Sequence, residues 1–163
     1  MLLVGLMRPY VRLLTLSLSL LLAGISAVAS AEPPIKNDDP GSISLQTLDG
    51  DVQQVGINEI WRIRAATGLE EPTGAVVIDY AFERLFVRDT LDNVLSKVRD
   101  QRRIERFTLP SGTPIYIVAE KIIGITRAMP GQHHDKSKSL IIAREGQQQV
   151  QESREAIRDI LKK

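Results

Sequence analysis

Cysteine is absent from this chain of 163 residues. That excludes disulfide staples, thiolate nucleophiles, Cys-bearing zinc sites and a lipidated N-terminal Cys. Aromatic residues make up only 4 %, with a single Trp at position 61, and there are two His. The sequence holds no Gly-rich phosphate loop, no nucleophile elbow and no H-E-x-x-H helix. Charge of one sign is missing too: 21 basic residues face 20 acidic ones. A near-neutral chain lacks the electrostatic footprint of a nucleic-acid binder, so no nucleic-acid partner is expected.

What is present begins with an export signal. Arg8 and Arg12 form a positive n-region, residues 13–28 are almost wholly apolar or small, and Ala29-Ser30-Ala31 is an A-x-A cleavage site. The apolar stretch is short for the roughly 17–25 residues of a spanning helix, so cleavage after residue 31 is expected, with an uncleaved anchor as the alternative. Arg8 and Arg12 are not adjacent, which sets aside the twin-arginine route. Two of the basic residues and none of the acidic ones lie in residues 1–31, leaving 19 against 20 and a formal charge of −1. A periplasmic or secreted protein is expected, meeting the membrane only transiently through the signal. Residues 32–42, rich in Pro, Asp and Asn, read as a disordered leader.

The rest of the chain repeats itself. Val87-Arg88-Asp89-Thr90-Leu91-Asp92-Asn93-Val94 returns as Val150-Gln151-Glu152-Ser153-Arg154-Glu155-Ala156-Ile157. Each is a strand's last apolar residue, an acid, a hydroxyl N-cap, and the first core residue of a helix. A slide of 62 residues pairs Leu45 with Phe107, Gly50 with Gly112, Val55 with Ile117, Ile60 with Ile122, Ile63 with Ile125 and Ala66 with Ala128. After the loop at 130–138 the register shifts, so that Val76-Val77-Ile78 meets Leu140-Ile141-Ile142, Thr90 meets Ser153 and Val98 meets Leu161. Residues 42–48 alternate polar and apolar as a half-buried strand does, and Asp49-Gly50 suits a type I′ hairpin. Strands are expected at 52–55, 60–64, 75–78 and 85–87. Leu91, Val94, Leu95 and Val98 then make one helical stripe. The expected fold is α+β: two repeated modules, residues 43–105 and 106–163, each an antiparallel sheet of four or five short strands followed by a C-terminal helix. A module of under 60 residues is marginal alone, so the two are expected to pack as one unit.

Each copy resembles the small flagellar FlbD family. The likeness rests on Gly50, Ile60-Trp61-Arg62-Ile63, Val76-Val77-Ile78 and residues 87–94 in the first copy. In the second it rests on Gly112, residues 119–125, Leu140-Ile141-Ile142 and residues 150–157. The resemblance implies the fold of each module; it differs in the export signal, the tandem copies, and Gly56 and Val118 where that family has Asn.

Few side chains point to chemistry. His133-His134-Asp135 is the one conventional metal or catalytic cluster, but zinc needs three or four converging ligands and adjacent strand His point apart. A solvated loop is the expected reading. Asp89/Asp92 and Glu152/Glu155 fit the positive ends of two helices. Arg99, Arg102, Arg103 and Arg106, with Lys97, could meet an anionic partner or simply satisfy a helix C-terminus. Trp61 is a core residue or a partner-contact anchor. Gln147-Gln148-Gln149 mark a polar strand edge. The expected function is a non-enzymatic binding, adaptor or assembly module without cofactor, whose partner is another envelope protein. The alternatives are a metal-binding protein or hydrolase built on His133 and His134, and an anionic-surface binder using the Arg99 to Arg106 patch.

Overall fold

Polar–apolar alternation produces β1 (Ser42–Gln46), which turns back into antiparallel β2 (Val52–Gly56) with Ile43 opposite Val55. The structure is a computed structural model that describes residues 41–163; the expected signal and residues 32–40 of the leader lie outside it. The β1–β2 turn corrects the type I′ expectation. Thr47 N–H donates to Asp51 O at 2.8 Å and Gly50 N–H to Thr47 O at 3.1 Å, and only Gly50 has positive φ (95°). A type I′ turn needs positive φ at both central residues, so this is a three-residue loop with glycine in its left-handed position.

A 3-10 turn (Ile57–Glu59) leads into β3 (Ile60–Ala65), β4 (Val76–Tyr80), β5 (Glu83–Val87) and helix α1 (Leu91–Arg99). Then follow β6 (Ile104–Thr108), β7 (Pro114–Val118) and a second 3-10 turn (Ala119–Lys121). The chain closes with β8 (Gly124–Arg127), β9 (Ser139–Ala143), β10 (Gly146–Val150) and α2 (Arg154–Leu161). The series of two strands, 3-10 turn, three strands and helix thus runs twice. The second series opens at Ile104, ahead of the expected boundary at 106, because Ile104 pairs with Val118.

Both helices start where their caps dictate. Thr90 takes extended angles and its hydroxyl accepts from Asn93 N–H at 3.3 Å; the Ser153 hydroxyl accepts from Ala156 N–H at 3.2 Å. Val94, Leu95 and Val98 are fully buried, each contributing roughly 1.5–3 kcal/mol as an upper estimate. Asp89 then ties α1 to β1: its carboxylate accepts from Gln46 N–H at 3.0 Å and from Asn93 Nδ2 at 2.7 Å.

The fold is mixed α/β with antiparallel sheets. A central sheet runs β5-β4-β3-β7-β6, and its β3–β7 pairing sets Arg62 opposite Ile117, Ile63 opposite Tyr116 and Arg64 opposite Ile115. That pairing joins the two halves. At either side the sheet meets its neighbours through the Thr47–Val87 bridge and through Gln151 N–H to Thr108 O at 2.9 Å. Among the described residues, the outer edges of β2 and β8 have no strand partner, while those of β1, β5, β6 and β10 meet a neighbour only at one end. Two cores result, yet the first borrows from the second half: Val118, Tyr116 and Ile104 pack into the cluster around Ile60, Ile63, Val94 and Val98. The other holds Phe107, Ile115, Ile117, Ile141, Val150 and Ile157.

Candidate functional site

Strand periodicity puts Arg62 and Arg64 on one face of β3, and β4 supplies Asp79 beside them. Asp79, 5 % exposed, accepts from Arg62 Nε at 2.8 Å and from Arg84 Nε at 2.9 Å. Arg64 makes a bidentate pair with Glu71, which reaches back from the 66–75 loop and also accepts from the N–H groups of Thr67 and Gly68, each at 2.9 Å. The guanidinium of Arg64, aided by those two amides, holds the Glu71 carboxyl well below the usual carboxylate range; Glu71 in turn pushes Arg64 up. A carboxylate so held is a poor general base near neutral pH. Its role is to pin the loop to the sheet.

This charged face belongs to the first half but touches the second. Arg62 Nη1 donates to Gln148 Oε1 of β10 at 2.5 Å, and its guanidinium stacks over Trp61 at 4.3 Å from the ring centroid. Trp61 is 4 % exposed, so it is a wall of the contact between the halves rather than an exposed anchor. Beside it opens a cleft of about 330 Å³ bordered by Trp61, Arg62, Phe82, Arg84 and Glu145. Glu145 is paired with Lys121 at 2.7 Å through one oxygen, while the other is buried without a protein partner.

The β4–β5 hairpin is the strained element at this cleft. Ala81 (φ 42°) and Phe82 (φ 70°) both take left-handed angles, the type I′ geometry for which Asn-Gly is preferred. Each non-glycine residue there costs about 1–2 kcal/mol. The strained turn also holds the Phe82 ring 73 % exposed. Sequence reasoning missed this turn, as it missed the ion-pair network; Arg62-x-Arg64 in a strand and Asp79 within an apolar one were the available signals.

No protein-family model matches the chain, and no significant similarity to a curated protein or a solved structure is found.

The other sequence candidates are placed as follows. His133 Nδ1 accepts from Met129 N–H at 2.9 Å, and His134 Nδ1 from Lys136 N–H at 3.2 Å, so both rings brace their own loop; Asp135 is exposed. Among the described residues no three His, Asp or Glu side chains gather as a metal site would need, and no helix is long and apolar enough to cross a membrane. Of the arginine patch, Arg103 caps α2, donating to Ile160 O at 2.7 Å and Leu161 O at 3.2 Å, while Arg99 lies 5.8 Å from the Tyr116 ring centroid. Arg106 is exposed and Arg102 half-buried.

The surface left unfinished is at β8. Ile60 and Ile63, within β3, are fully buried in the first core, to which β7 adds Val118 and Tyr116. Ile122 and Ile125, which take the same places beside β8, are only half-buried, as are Ile160 and Leu161 of α2; Ile123 is 70 % exposed. An apolar edge with free backbone groups is a template for another strand.

Proposed function

We propose that this chain is an exported, non-enzymatic assembly module of the cell envelope, made of two copies of one β-rich unit, which binds a protein partner through the β8 edge. The observation that carries the reading is the contrast between β3 and β8. Two strands in the same place within the same series of elements differ in burial: β3 has a strand on each edge, whereas β8 has one on its β9 edge alone. A strand laid against β8 would satisfy its backbone donors and acceptors and cover Ile122, Ile123 and Ile125. Burying such aliphatic side chains contributes roughly 1.5–3 kcal/mol each. Export is supported by the n-region, apolar stretch and A-x-A site of residues 1–31. Two copies of one unit are supported by the recurring order of elements and the two hydroxyl caps.

A photoreactive residue introduced at Ile123 tests this in the envelope of living cells. Irradiation is expected to yield discrete covalent adducts with a protein, and the same group at Ser96, on the exposed side of α1, is expected to yield none. Absence of adducts at Ile123 from correctly folded protein would overturn the reading.

A further inference from the structure

We infer that the strand docking on β8 is β2 of a second copy of this chain, so that the protein assembles head to tail. The inference rests on the assembly reading and gives its partner. The template is the junction inside the chain, where β3 pairs with β7. Carried forward by the 62-residue match, β3 becomes β8, while β7 becomes β2 of the next copy. Gly124 then lies opposite Val55, Ile125 opposite Gln54 and Thr126 opposite Gln53. Both strands have the required free edge among the described residues, and both run in the required sense.

The exposed apolar residues support the same geometry. At the internal junction the β9–β10 turn packs on Trp61: a Cβ at Gly146 would lie 3.7 Å from the indole. At the external junction Ile123 stands where Trp61 does, and the turn facing it is the β4–β5 hairpin of the second copy, which carries Phe82. Ile123 is 70 % exposed, Phe82 73 % and Val52, on β2, 69 %. These three are otherwise unrelated in the fold, and one docking step covers them all. It also gives the strained turn a purpose, since left-handed angles at Ala81 and Phe82 hold the ring outward. Arg127, exposed at the end of β8, comes opposite Val52 and next to Asp51, which is exposed too. A contact between two different surfaces propagates, into a ring if the rotation closes and into a filament if it does not.

Sedimentation velocity of the purified protein over a concentration series tests the association, and disulfide trapping tests its register. Because the chain has no cysteine, Gln53→Cys and Thr126→Cys give one thiol each, on directly opposed positions within bridging range. The sedimentation coefficient is expected to rise with concentration. Under oxidation the mixed variants are expected to link, and neither variant to link with itself. Ile123→Asp and Phe82→Gly are each expected to weaken association at least tenfold. Phe82→Gly also relieves the positive-φ strain, so its melting temperature should not fall and a folding defect cannot mimic the result. A single monomeric species at about 1 mM, the weak limit for a specific contact, would overturn the inference. So would self-linking of Thr126→Cys, which signals a two-fold β8–β8 dimer, or unchanged association in both apolar variants. A monomer that still gives adducts at Ile123 with another envelope protein overturns head-to-tail assembly alone and leaves the broader reading standing.

Discussion

The indole of Trp61, in β3, lies against Gly146, at the start of β10, and this pair closes the contact between the two halves of the chain. Because the ring is buried while the glycine side is open, the two positions respond differently to change. Trp61→Ala is expected to destabilise the fold by about 3–5 kcal/mol, since a large cavity opens between the halves. Gly146→Ala is expected to stay within about 0.5 kcal/mol, because the added methyl meets the ring at ordinary contact distance. Denaturant melts of the two variants check both values; equal effects would mean that the indole is not wedged where the structure puts it.

Acid should loosen the 66–75 loop before the rest of the fold. The Glu71 carboxyl is held below its ordinary value of 4.5 by Arg64 and the Thr67 and Gly68 amides. The stability it contributes is therefore complete above about pH 4.5 and is lost as the pH falls toward the folded-state value. Glu71→Gln is expected to cost about 1.5–3 kcal/mol at neutral pH. The gap between wild type and variant is expected to narrow steadily below about pH 4.5. A gap of the same size at about pH 7 and about pH 3 would show that ionisation of Glu71 plays no part.

The hydroxyl caps offer a symmetrical pair of tests. Thr90→Ala and Ser153→Ala each remove the acceptor for a first-turn N–H, of Asn93 and Ala156 respectively. Each is expected to cost about 1 kcal/mol, with Thr90→Ser and Ser153→Thr close to wild type. Urea melts that leave both alanine variants unchanged would remove the caps from the list of what fixes the helix starts.

Cutting the chain between the halves should leave the first half incomplete. Val118, Tyr116 and Ile104 belong to its core, and β7 covers the β3 edge. Residues 41–103 produced alone are therefore expected to be partly unfolded or to dimerise, and the full chain to unfold in one transition. Circular dichroism and sedimentation of the fragment decide the matter: a monomer as stable as the whole chain would show that the borrowed residues are dispensable.

Local patterns in the sequence were enough to determine the elements. Alternation located β1, apolar runs located strands such as β4 and the repeat carried them into the second half, the spacing of Leu91, Val94, Leu95 and Val98 gave the stripe of α1, and the hydroxyls of Thr90 and Ser153 marked both helix starts. These follow from backbone geometry and short-range hydrogen bonds, which a few neighbouring residues control. Turn type was less legible, because Ala81 and Phe82 have no intrinsic preference for positive φ and are held there by the pairing of Tyr80 with Glu83 on either side. Trp61 could be read as core or as anchor until β10 was placed against it, and Arg64 gave no hint of Glu71, seven residues on across a loop. The β3–β7 pairing and the borrowed apolar residues bring together segments distant in sequence, and the β8 edge is open because no strand of the described residues reaches it. Such contacts depend on which surfaces remain uncovered after the local elements have formed, so tertiary packing alone decided them.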